Sequence, residues 1–189
     1  AAATITPEVI DVRASVDEAW VCVAWTTPWP ADAEWPAVHA VASRLQSHGF
    51  RGRRFETRWA PLDQPGLLAM ARRLGGEDDP AAAARDLVAL AAAAAEALDA
   101  ADLRTARTGC RAFLDAGRGR DAAVAANPYL AAFSLARTPS FGVDLDALHD
   151  AFGRLTAAEA RRAAAAVLAP GRVAAVVVRS RTAPPPKPR

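Results

Sequence analysis

With 189 residues, the chain has enough material for one sizeable hydrophobic core, or at most two small ones. It carries 23 basic and 21 acidic side chains in interspersed order, a net +2, which gives no electrostatic footprint for nucleic acid. No run approaches the ~20 apolar residues of a membrane span; the nearest, Ala89–Ala95, is flanked by Arg85, Asp86, Glu96 and Asp99.

The composition is 52% hydrophobic but only 6% aromatic, with alanine supplying much of the apolar share. Alanine buries little area, so the Leu, Val, Phe and Trp side chains must set the core. Abundant Ala and Arg point to a GC-rich bacterial genome. The first residue is Ala1 rather than Met, so a mature or excised piece is expected, soluble, of cytoplasm or periplasm alike.

In chain order, Val9–Ala14 reads as a strand, Ser15–Glu18 as a turn, and Ala19–Thr27 as a second strand beside the first, rich in β-branched and aromatic residues. Pro28 and Pro30 stop it, because proline cannot donate to a ladder. Asp32 is placed as the N-cap of a helix that puts Trp35, Val38, Val41, Ala42 and Leu45 on one stripe, with Gly49 as its end. Residues 53–60 and 66–73 form a strand pair around a turn at Pro61–Pro65. Leu68, Met70 and Arg72 lie on one face of the second strand, with Leu67, Ala69 and Ala71 on the other.

At Asp79 the period turns helical, with Pro80 suited to a first helical position. One helix is expected to about Ala100, then helices over 102–116, 121–136 (interrupted at Pro128) and 144–152, the last capped by Asp144. Thr156-Ala-Ala-Glu159 is a capping box for a helix to Leu168. Pro170-Gly171 turns the chain into a last strand, Arg172–Arg179, and the proline-rich 180–189 is expected as an extended tail or linker. A strand arriving last must join the earlier sheet. The expectation is one α+β domain over 1–179, with helices on one face of a mainly antiparallel sheet.

No complete catalytic motif is present. There is no nucleophile elbow and no phosphate-cradling glycine pattern. Asp146, His149 and Asp150 share a helical face, read either as metal ligands or as acids at a helix N-terminus. Cys22 and Cys110 are read as free thiols, with a disulfide as the alternative. Arg51, Arg53 and Arg54 form the densest basic cluster, either a solvated turn or an anion site. Five tryptophans lie in the first third. Trp20 and Trp25, five apart, face opposite sides of a strand, and with Trp29 and Trp35 they mark a candidate partner or peptide surface.

The element order and two stretches resemble half of an M16-type peptidase, the family of pitrilysin, insulinase and mitochondrial processing peptidase. The first stretch is Val9–Leu45, VIDVRASVDEAWVCVAWTTPWPADAEWPAVHAVASRL: strand, proline-ended strand, acidic helix opening. The second is Leu155–Val178, LTAAEARRAAAAVLAPGRVAAVVV: a Thr-capped helix ending Leu-Ala-Pro before a Val-rich strand. The resemblance implies a clamshell of paired halves, one of which holds zinc through an inverted His-x-x-Glu-His helix and a distal Glu. This chain has His39, His48 and His149 only, and no such motif, so zinc is expected in a partner half and not here. The zinc-less half of such enzymes contributes an Arg and a Tyr toward substrate carbonyls. Residues 44–59 offer arginines but no tyrosine, the one tyrosine being Tyr129, so no catalytic residue carries over.

The implied function is a non-catalytic half that pairs with a zinc-bearing half around a peptide-processing chamber. The alternative is a binding module that docks a partner through its Trp-rich strands by β-augmentation. A self-standing enzyme ranks last, since no convergent acid, base and nucleophile is visible.

Overall fold

The computed structural model describes residues 9–48, 55–60, 66–117 and 145–181. Among these, five strands form one mixed sheet: β1 (Val9–Ala14), β2 (Trp20–Thr27), β3 (Glu56–Ala60), β4 (Gly66–Arg73) and β5 (Val173–Ser180). The order is β1-β5-β2-β4-β3. Only β1 and β5 run parallel; the β2–β5, β2–β4 and β3–β4 pairs are antiparallel, so the sheet is mainly antiparallel as expected.

One expectation fails. β1 and β2 are not neighbours, because β5 lies between them, with Val9 opposite Ala175 on one side and Val23 opposite the same residue on the other. The physical reason is composition. Val173–Val178 is rich in valine and has apolar residues on both faces, as suits an interior position. Local contacts fasten β1 to it: Arg179 Nε donates to Asp11 Oδ2 at 3.0 Å, Arg13 Nη1 to the Ser180 carbonyl at 3.2 Å, and the Arg181 amide to the Ala14 carbonyl at 3.0 Å.

Among the described residues, five helices pack on one face: α1 (Trp35–His48), α2 (Pro80–Glu96), α3 (Ala100–Gly117), α4 (Leu145–Arg154) and α5 (Ala157–Val167). The sheet side of the core is Val21, Val23, Trp25, Leu68, Met70, Ala175 and Val177, each 3% exposed or less. α2 lies across β1, β2, β4 and β5, burying Leu87, Leu90, Ala91 and Ala94. It starts as predicted: the Asp79 carboxylate accepts the Ala81 amide at 3.0 Å ahead of Pro80. It stops at Glu96, and the turn to α3 is held by Asp99, whose Oδ1 accepts the Ala101 and Asp102 amides. The Thr156–Glu159 capping box opens α5, with both reciprocal bonds formed.

Asp32 does not cap α1. Its carboxylate accepts the Trp29 amide at 2.7 Å and closes the proline turn, while the helix begins at Trp35 behind the Glu34 carbonyl. The expected helix over 121–136, its kink at Pro128, the Asp144 cap, the Gly49 stop and the tail beyond Arg181 lie outside the described residues.

The alternation along β4 gives a direct check. Leu68→Ala, on the helix-covered face, is expected to cost about 2–5 kcal/mol. Leu67→Ala, on the opposite face, is expected to cost about 1 kcal/mol or less. Urea unfolding of both variants reads the difference.

Candidate functional site

The sheet face away from the helices is apolar, and no described helix covers it. Register places Ile10 and Val12 of β1, Val176 and Val178 of β5, Trp20, Cys22 and Ala24 of β2, and Leu67, Ala69 and Ala71 of β4 on it. Not one of these is fully buried, and Ile10 and Val12 are 57% and 40% exposed. β-structure dictates this. Side chains alternate, so a strand with apolar residues at every position must present half of them to the face its helices do not reach. Glu56, Arg58 and Arg73 ring the β3 end with charge.

The tryptophans divide between the two faces. Trp25 and Trp35 are core residues, 0% and 3% exposed, so neither forms part of an accessible surface. Their buried indole N–H groups have no partner among the described residues. Trp29 is half-buried in the proline turn. Trp20 alone of the four predicted surface tryptophans stands on the open face, with the Arg73 guanidinium 6.0 Å from its ring centroid and Glu18 paired to that arginine. β2 is hydrogen-bonded on both sides, so its tryptophans offer no free edge for an added strand. Arg51, Arg53 and Arg54 lie outside the described residues.

Cys22 and Cys110 are both free. Burial pushes the Cys110 thiol up to about 12; burial, then the nearby Glu56 charge, raises Cys22. Neither has thiolate character to act as a nucleophile.

On the opposite, helical side, α1 carries a cluster that sequence reading missed. Trp35 stacks on His39 one turn later, with ring centroids 4.8 Å apart and planes 22° from parallel. Trp59 from β3 donates its indole N–H to His39 Nδ1 at 3.1 Å, and Phe152 from α4 meets His39 edge-on at 5.6 Å. Accepting at Nδ1 makes the imidazole neutral with its proton on Nε2. Burial alone lowers its pKa to about 4. The available signal was the i, i+4 spacing of Trp35 and His39; the partners come from elements far along the chain.

His39 is thus a structural histidine. His149 is also engaged, its Nε2 accepting from Arg107 Nε at 3.3 Å and its Nδ1 4.0 Å from Asp150. Among the described residues, no group of three His, Cys, Asp or Glu side chains is placed to hold a metal ion. Nor is any described helix long and apolar enough to cross a membrane.

No family model matches the sequence, and no curated protein matches it either. Solved structures do match in fold. The inactive peptidase domain of a Bordetella parapertussis protein superposes with a TM-score of 0.65 at 16% identity, covering 94% of this chain and 97% of that one. A protease from Helicobacter pylori matches at 0.60 and 13% identity, covering 92% of this chain and 44% of its own. The inactive M16 peptidase domain from Pseudomonas fluorescens matches at 0.58 and 13%, covering 94% and 44%. The chain therefore has the fold of an M16 peptidase half. It spans nearly all of one such structure and under half of the other two.

The His39 cluster predicts a pH dependence. The folded-state pKa of His39 lies near 4, below its ordinary 6.5, so between these values the unfolded chain binds the extra proton. Stability is fully present above pH ~6.5 and falls as pH drops toward 4, by about 3 kcal/mol at most from this group. His39→Phe should flatten that slope in urea titrations at successive pH values. An unchanged slope would place the titration elsewhere.

Proposed function

We propose that this chain is a non-catalytic M16-like half, which pairs through its open sheet face with a zinc-bearing half to enclose a peptide-processing chamber. The observation that carries the reading is that face: apolar across four strands, uncovered by any described helix, with Ile10 and Val12 exposed. Apolar surface of that continuity is stabilised by contact with another body. The fold supports the pairing, since the Helicobacter protease has more than half of its length beyond the part this chain matches. The sequence supports the division of labour. With three histidines and no His-x-x-Glu-His, zinc would come from the partner, and this half would supply wall and shape.

One observation favours a second reading. The Arg–Tyr pair through which zinc-less halves would hold substrate carbonyls has no counterpart in residues 44–59. A module that kept the fold for assembly alone would dock its partner through the same face around Trp20, and no combination of subunits would turn over peptide.

Mixing the purified chain with a zinc-bearing M16 half encoded beside it, and assaying a quenched fluorescent peptide library, separates these. Zinc-dependent cleavage in the mixture, with none from the chain alone, is the expected result. A stable complex without cleavage would give the docking reading; cleavage by the chain alone would overturn both. Val12→Asp is expected to weaken the complex about tenfold or more, by placing a charge in a desolvated contact. Asp86→Lys, on the exposed side of α2, is expected to leave it intact.

A further inference from the structure

The helical layer contains a cleft on the opposite side of the molecule from the open sheet face. It lies between α3 and the α4–α5 junction, with a volume of about 230 Å³. Its floor is apolar: Leu103 and Phe152 are 7% and 3% exposed, with Leu155 and Ala157 half-buried beside them. Its rim is cationic. Arg104 and Arg107, three residues apart on one face of α3, both line it, and neither makes an ion pair with a carboxylate among the described residues.

Two like charges at that spacing repel and would ordinarily be separated or neutralised. Acids at the adjoining helix ends also hold backbone and hydroxyl groups. Asp99, whose carboxyl feels the charge of Arg104, spends Oδ1 on the amides of Ala101 and Asp102. Glu159 Oε2 accepts the Thr156 amide and hydroxyl in the capping box. Arg107 is also held in place. Its Nε donates to His149 Nε2, and its guanidinium lies against Gly153, where a Cβ would come 3.4 Å from Nη2. His149 in turn sits 4.0 Å from Asp150. A guanidinium fixed through Nε over an apolar floor keeps its two terminal nitrogens as paired donors, the arrangement that recognises a carboxylate.

We propose that this cleft binds a monocarboxylate bearing a short apolar tail, with Arg104 and Arg107 holding the carboxylate and Leu103, Phe152 and Leu155 covering the tail. The cleft has room for a small molecule. Hexanoate and the terminal residue of a peptide ending in leucine both carry this chemistry, which is therefore shared by a free short-chain acid and a peptide C-terminus.

Isothermal titration of the purified chain with hexanoate, hexanamide, N-acetylleucine and N-acetylleucinamide tests this. Binding of either carboxylate, with its amide at least about tenfold weaker, is expected. Preference for hexanoate would identify a free acid as ligand, and preference for N-acetylleucine a peptide C-terminus. Arg104→Gln and Arg107→Gln, both exposed on α3 and not needed for the core, are each expected to weaken the bound carboxylate about tenfold with unchanged thermal unfolding. Equal binding of acid and amide, indifference to both substitutions, or no heat up to about 10 mM of either acid would overturn the proposal.

Discussion

The structure depends on β5 lying between β1 and β2. This strand makes a parallel ladder with β1 and an antiparallel one with β2, so it alone joins the first strand to the rest of the sheet. Its contacts are also among the longest-range in the chain, Arg179 and Asp11 being 168 residues apart. Closing so large a loop costs entropy that grows only slowly with length, but it delays the reward until late in folding. Ala175 and Val177 then complete the apolar floor on which α2 rests, so the central sheet and the helix covering it are stabilised together.

The helical layer is built from small residues. α2 buries Ala83, Ala84, Ala91, Ala94 and Ala95 among only a few larger side chains, which lets helices and sheet approach closely but yields little transfer energy per residue. Polar contacts then fix relative positions that alanine alone would leave loosely specified. Arg44 Nη1 reaches Asp102 Oδ2 at 2.5 Å between α1 and α3, and Arg161 Nε donates to the Leu98 carbonyl at 2.9 Å, tying α5 to the end of α2. The Arg44–Asp102 pair is half-shielded, so its value lies more in register than in net stability. The His39 cluster adds a third such link, joining α1, β3 and α4 through one imidazole.

Local features were legible in the sequence and long-range ones were not. The Asp79–Pro80 start and the Thr156–Glu159 box were readable because each is decided within four residues. The alternation of β4 was readable because it has period two. Asp32 misled because an aspartate before a helix can close the preceding turn as readily as cap the helix, and the proline-rich segment favoured the turn. The place of β5 could not be read from spacing, since adjacency in sequence predicts only the commoner pairing. The four predicted surface tryptophans shared a region of sequence but not a surface: strand alternation sends Trp20 and Trp25 to opposite sides, and Trp35 turns into the helical layer.

The shape of the open face constrains what can cover it. Its centre is paved by small side chains, Cys22 and Ala24 on β2 with Ala69 and Ala71 on β4, while Val12 and Val178 stand larger toward the β1 side, Trp20 stands at the start of β2, and Arg73 and Glu56 carry charge at the margin. A floor of alanine between taller apolar and charged margins is a shallow trough. Only an element that comes close to the sheet backbone can exclude water from it, because a methyl group contributes contact over a short range. A partner surface that covers the face must therefore bring side chains down between the Trp20 indole and the valines to reach that floor. The charges at the margin then set its direction more than its affinity, as rim charges do at interfaces generally.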